Sequence, residues 1–203
     1  MDENKVNKYL MIAKERGGVS TTKPKQWESE NNMRWHIQFL YHLTKKIKPD
    51  IIVELGTFIG GSFYTFLAAL VENNKGHVYT IDIVDRSEYL QEANESKAFF
   101  THIVGDTKEV DIVPNVDFLL LDTSHSNEQT AAEWDHWEKH VKVGGLIFFH
   151  DTQLKDSKGV YYGVHWFVID LWKKESGRFV RLYNLGAEID GDVSGLEIWL
   201  KLR

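Results

Sequence analysis

Two apolar runs in this 203-residue chain end in the same pair of side-chain types, an aspartate and a histidine. One reads Val116-Asp-Phe-Leu-Leu-Leu-Asp122-Thr-Ser-His125; the other reads Gly144-Gly-Leu-Ile-Phe-Phe-His150-Asp151-Thr152. An acid and an imidazole at the end of a buried strand can move protons or hold a cation. His125 falls on the loop before a helix, three residues after Asp122. An imidazole of ordinary pKa there accepts a hydroxyl proton near neutral pH, so His125 is the candidate general base. The plainer reading is a histidine that caps the helix. Two carboxylates at adjacent strand ends repel unless positive charge lies between them. A divalent cation answers that economically. Asp122 and Asp151 would ligate Mg²⁺ or Mn²⁺ through hard oxygens, with positions left for water and substrate. His150 precedes Asp151 and points to the other side of an extended strand, as an orienting group or a further metal ligand.

A second chemical stretch is Ile51-Ile-Val-Glu54-Leu-Gly56-Thr57-Phe58-Ile-Gly60-Gly61-Ser62. A β-branched run that breaks into glycines is a buried strand feeding a tight turn and then a helix. Glycines let backbone N–H groups approach a ligand. Phe58 stands at the second glycine of the dinucleotide fingerprint, and no Gly-Lys-Ser/Thr of a phosphate loop follows. An acid before the loop, Glu54, suits a cationic ligand rich in hydroxyls, and S-adenosylmethionine fits. Ser62 opens the helix, where N–H groups can take a carboxylate. Asp82 ends the next strand, where an acid accepts from ribose hydroxyls. Asp106, in Gly105-Asp-Thr107, is a contact to the adenine amine, an N-cap, or both.

Other polar residues carry less. Glu133 lies eight residues past His125, two helical turns, and reaches back toward it or solvates the helix face with Asp135. His136 and His140 have zinc-type spacing but no third ligand beside them, so they read as surface residues. The loop with Lys155 to Lys158, the aromatics Tyr161, Tyr162 and Trp166, and the Trp27–Trp35 segment are candidate walls or lids.

The elements that must hold these groups alternate. Strands are expected at 51–55, 77–83, 101–104, 116–121, 146–149, 178–184 and 195–202. Helices are expected at 2–16, 28–46, 61–73, 87–98, 127–140 and 161–175. Such alternation predicts a doubly wound, Rossmann-like α/β sheet of seven mostly parallel strands with helices on both faces. The short loop 186–194 makes the last strand antiparallel. Residues 1–203 are expected to form one domain, with 1–30 as a helical extension or lid.

A net charge of −6 argues against nucleic acid or an anionic membrane as partner. With no cysteine there is no disulfide or thiolate site. No apolar run reaches spanning length and the start is polar, so the expected compartment is the cytoplasm. Most of the seven tryptophans should be core.

The glycine loop, the acid at Asp82 and the antiparallel finish resemble the class I S-adenosylmethionine-dependent methyltransferases over about residues 30–203. The stretch from Asp122 through His125 to Glu133, followed by Gly144-Gly-Leu-Ile-Phe-Phe-His-Asp151, is similar to metal-dependent small-molecule O-methyltransferases of the macrocin and catechol types. The resemblance implies S-adenosylmethionine held by Glu54, Gly56, Thr57, Gly60, Gly61, Ser62, Asp82, Asp106 and Asp122. It also implies metal on Asp122 and Asp151, and His125 as base. Ser124 stands where that pattern has an acid, and Thr152 where catechol-type enzymes have an amide, which leaves the third ligand open. The expected activity is methylation of a small hydroxylated acceptor: a sugar, a phenol or a natural-product intermediate. The rivals are a cofactor-binding protein without transfer, an oxidoreductase, or a metalloenzyme such as a hydroxylase on the same fold. A homo-oligomer is compatible with all of them.

Overall fold

The computed structural model describes residues 2–17, 32–111, 115–185 and 195–203. Outside them lie Gly18 with the linker 19–25, the expected helix start at Glu28, the Trp27 end of the lid segment, and the loop 186–194.

Helix α1 spans Glu3–Arg16 and α2 spans Ile37–Ile47, after a 3₁₀ turn at Asn32–Trp35. Then follow β1 (Ile51–Leu55), α3 (Gly61–Asn73), β2 (His77–Asp82), β3 (Phe100–Val104), β4 (Val116–Leu121) and α4 (Asn127–Trp137). The chain continues with β5 (Val141–His150), α5 (Gly163–Glu175), β6 (Phe179–Leu185) and β7 (Leu196–Lys201). The seven strands form one sheet in the order β3-β2-β1-β4-β5-β7-β6. The pairs β2–β3 and β4–β5 are parallel, while β7 runs antiparallel to β5 and β6, as the short final loop predicts. The strand order reverses at β1 and β4, where open sheets of this kind bind ligands beyond the carboxyl ends.

Four expected elements differ. The helix expected at 28–46 is α-helical only from Ile37, after the 3₁₀ turn, and the one expected at 127–140 ends at Trp137 and continues as a 3₁₀ turn, Glu138–His140. Residues 87–98 do not form an α-helix: Ser87–Phe99 is a 3₁₀ stretch, interrupted at Ser96. Its buried residues, Leu90, Ala93 and Ser96, recur every third position, the period of a 3₁₀ turn rather than an α-helix. β5 starts at Val141, not at 146, and carries Gly144 and Gly145 within it. Its ladder with β4 shifts between Val116 and Phe118, so the glycines occupy an irregularity inside the strand rather than a turn before it.

By internal packing the chain divides into two compact units, Met1–Ile52 with Thr57–Gly105, and Val53–Gly56 with Asp106–Arg203. In the first, every residue of α3 from Gly61 to Leu70 is buried. A helix that is apolar all round needs cover on all sides, and α1 and α2 both pack on it. The Tyr9 hydroxyl bonds Ser96 Oγ at 2.8 Å and ties α1 to the 3₁₀ stretch. In the second, Trp134, Phe149, Phe179, Trp172 and Trp199 form a continuous aromatic cluster with neighbouring ring centroids 5.2–5.8 Å apart. Such packing adds edge-to-face attraction to the burial itself.

Candidate active site

In the second unit β4 and β5 end level with each other. Leu121 pairs with Phe149, so Asp122 and His150 leave the sheet in register. Asp122 N–H donates to the Leu55 carbonyl at 3.0 Å, which sets it beside the end of β1. Gly56 sits against this contact with φ +96°, and a Cβ there would collide with the Asp122 carbonyl. A side chain at residue 56 therefore needs both a backbone it rarely adopts and space that is filled.

Four side chains converge at these ends. His125 Nε2 lies 2.7 Å from Asp151 Oδ2 and 3.8 Å from Asp122 Oδ1. His150 Nδ1 lies 3.0 Å from Asp122 Oδ1 and 3.2 Å from Asp151 Oδ2. Each imidazole faces both carboxylates. His150 does not point away from Asp151, because the strand stops at His150 and Asp151 turns into the left-handed region at φ 56°. His125 is also left-handed, at φ 58°. Such backbone costs on the order of 1–3 kcal/mol per residue and persists where the surroundings hold it. Here the N–H of Val164, in the first turn of α5, donates to the His125 carbonyl at 3.1 Å. That approach requires Gly163, since a Cβ there would collide with the backbone N of Asn127. The Tyr162 ring stands edge-on to His125 at 6.1 Å.

Burial opposes charge on all four groups, and their mutual attraction outweighs it. Asp122 and Asp151 are held below the usual carboxylate range by His150 and His125. His150 is raised well above its usual value by both aspartates. The His125 imidazole is raised to about 10 by its hydrogen bonds to Asp122 and Asp151. The positive charge between the carboxylates is thus supplied by the chain itself. An ordinary pKa for His125 does not hold in this arrangement: its proton is retained well past neutrality.

The same geometry also fits a cation. Asp122, His125 and Asp151 each offer one ligand atom, all within 4.8 Å of one another. The two carboxylate oxygens suit Mn²⁺ or Mg²⁺, whereas the imidazole nitrogen suits a borderline ion. The third donor of this group is His125; His150 faces the same two acids from its buried position.

Sequence spacing alone under-reads Glu133. It is fully buried on α4, not solvated, and accepts from Thr107 Oγ1 at 2.5 Å, Gln129 Nε2 at 2.8 Å and Thr123 Oγ1 at 3.0 Å. Burial raises its pKa, and these hydrogen bonds offset part of the rise. It joins α4 to the loop after β3 and to the residue following Asp122. Thr107, Thr123 and Gln129 carry no signal of this in the sequence, since all three are common helix and loop residues. Asp106 acts as a cap, accepting from Lys108 N–H at 3.0 Å. Glu54 is buried within β1.

In the first unit the glycine turn is closed by side chains. Thr57 Oγ1 and Thr80 Oγ1 are 2.6 Å apart. The Asp82 carboxylate accepts from Phe58 N–H at 2.9 Å, Val84 N–H at 2.9 Å and Arg86 Nε at 3.1 Å. Asp82 therefore holds the turn in shape while lying at the strand end expected for a ribose contact. Gly60 is left-handed at φ +89° and caps α3, with Gly61 and the buried Ser62 in the first helical turn.

Comparisons with known proteins agree with this architecture. Residues 53–152 match a family described as "Methyltransferase domain". An uncharacterized protein of Sinorhizobium fredii is 22% identical over 158 residues, covering 68% of this chain, which spans 17% of that relative's length. An O-methyltransferase from Bacillus cereus, solved with S-adenosylhomocysteine, superposes with TM-score 0.68 at 15% identity, over 99% of this chain and 92% of its own. TomG, an O-methyltransferase of Streptomyces achromogenes solved with S-adenosylmethionine, gives 0.65 at 16%, over 100% and 92%. A 1,6-didemethyltoxoflavin N1-methyltransferase of Burkholderia thailandensis gives 0.64 at 14%, over 88% and 82%. Among the described residues no helix is long and apolar enough to cross a membrane. Residues 53–152 match a methyltransferase domain, and the chain has the fold of these solved methyltransferases.

Proposed function

We propose that this protein transfers the methyl group of S-adenosylmethionine to a hydroxyl of a small acceptor, with a divalent cation at Asp122 and Asp151. The observation that carries this reading is the convergence of two acids and two imidazoles on the level ends of β4 and β5. The glycine turn with Ser62, and Asp82, would hold the cofactor. Solved neighbours include both O- and N-methyltransferases, so the oxygen acceptor rests on this acid-rich centre rather than on the fold.

The reaction is a single displacement. The acceptor oxygen attacks the methyl carbon, the carbon–sulfur bond breaks, and S-adenosylhomocysteine leaves with the electron pair. The chain's contribution is orientation and stabilisation of negative charge on the attacking oxygen. When bound, a divalent ion supplies the positive charge that Asp122 and Asp151 now draw from the imidazoles, and lowers the pKa of a ligated hydroxyl. His125, no longer needed as counter-charge, would accept the hydroxyl proton either directly or through a water. His150 would keep the two carboxylates oriented. Tyr162, beside His125 and 40% exposed, is placed to wall the acceptor.

The charge balance of the four groups also favours a second reading, in which no ion binds and the imidazolium of His125 orients the acceptor as a donor. Activity in chelator separates the two. His125→Ala tests both: turnover should fall about 10²–10⁴-fold, the usual contribution of a positioned acid–base group, while cofactor affinity stays near wild type. Loss of cofactor binding instead would remove His125 from this role.

A further inference from the structure

We propose that Asp111, His136 and His140 form a second metal site, for a borderline transition ion such as Zn²⁺, on the outer side of α4. The three ligand atoms lie within 4.8 Å of one another. His136 and His140 are one helical turn apart with ring centroids 6.0 Å apart, so both rings project from the same side of the helix end. The missing third ligand comes from the loop after β3. Asp111 Oδ1 lies 3.6 Å from His136 Nε2, and the Val110 carbonyl lies 3.1 Å from the same nitrogen.

The site is built rather than incidental. Asp106 accepts the N–H groups of Lys108, Glu109 and Val110, which shapes the loop into a helical turn and delivers Val110 and Asp111 to α4. Trp137, buried between the two histidines in sequence, donates from Nε1 to the Thr107 carbonyl at 2.7 Å and pins that turn to the helix. The Nε2 atom of His140 is buried and has no hydrogen-bond partner among the described residues. A metal bond would satisfy it.

The donor set selects the ion. Two imidazoles, one carboxylate and a nearby carbonyl suit Zn²⁺ and disfavour Mg²⁺, which prefers oxygen throughout. Zinc bonds of about 2.0–2.2 Å need the three atoms somewhat closer together. The Asp111 side chain is exposed and can make that swing. An ion here would clip the loop after β3 to α4, next to the Thr107–Glu133 bond. This inference does not depend on the proposed reaction.

Equilibrium dialysis of the full chain against zinc chloride tests it. Wild type should take up zinc, and one equivalent should weaken by about 100-fold or more in both Asp111→Asn and His140→Gln, since outer-shell changes alone cost about 10–100-fold. Asp111→Asn alters an exposed side chain, so its fold is not at risk. Asp151→Asn should keep that equivalent, which separates this site from the strand-end centre. Zinc uptake that is absent at sub-millimolar concentration, unchanged in both Asp111→Asn and His140→Gln, or lost in Asp151→Asn that keeps the wild-type circular dichroism spectrum overturns the proposal.

Discussion

The molecule carries two clusters of nearly the same composition, and they are built in opposite ways. Asp122, His125, His150 and Asp151 sit at strand ends, mostly buried, with two of the four residues held in left-handed backbone. Asp111, His136 and His140 sit on an exposed loop, the last turn of α4 and the 3₁₀ turn Glu138–His140 that follows it. In the first, burial makes each charge depend on its partners, so the histidines keep their protons. In the second, burial dominates at His140 and lowers its pKa, followed by repulsion from Lys139 and His136. The same residue types hold their protons in one cluster, and His140 is pushed toward the neutral form in the other, according to how many carboxylates face them out of water.

The largest test of that contrast is stability. Asp151→Asn leaves His125 and His150 facing one carboxylate in a buried setting, and breaking such a network costs about 3–5 kcal/mol. Asp111→Asn, at an exposed position, should stay within about 0.5 kcal/mol of wild type. Urea unfolding of both variants in chelator measures the difference, and equal costs would dissolve the distinction. Next in size is Glu133→Ala. It leaves Thr107, Gln129 and Thr123 without their shared acceptor, at about 1–3 kcal/mol for a buried unsatisfied group. Glu133→Gln keeps an acceptor and should recover part of that loss.

A further test is pH dependence. His125 has a folded pKa of about 10 against about 6.5 unfolded, so its contribution is fully present below 6.5 and fades as pH rises toward 10. His140 is shifted down, so the folded state disfavours its proton, and stability is lost as pH falls through the unfolded value. Ring-proton chemical shifts in chelator should show His140 titrating below the ordinary histidine range and His125 still protonated at pH 8. Parallel titration of the two would contradict the account.

Much of the fold was readable because its signals are local. Ile51–Leu55 and Gly61–Asn73 follow directly from a β-branched run, a glycine break and an apolar helix. The helix expected at 87–98 fails because Leu90, Ala93 and Ser96 match a three-residue period over too short a span to separate from an α-helix without its packing. Asp122, His125 and Asp151 were legible as chemistry. Their arrangement was not, because nothing in the residue types announces φ 58° at His125 or φ 56° at Asp151. The expected cation rested on two acids lacking a counter-charge, and only the three-dimensional placement of the two histidines provides it. The third partner of His136 and His140 was invisible for a different reason: Asp111 lies 25 residues upstream and arrives through the Asp106 turn.

The most direct test of the central claim is calorimetric titration of S-adenosylmethionine into the purified protein, in excess Mg²⁺ and again in EDTA. The account predicts binding on the order of micromolar, about −8 kcal/mol, in both buffers. It also predicts that Asp82→Ala weakens binding while His125→Ala leaves it unchanged. Absence of binding in both buffers would contradict the assignment of this chain to methyl transfer.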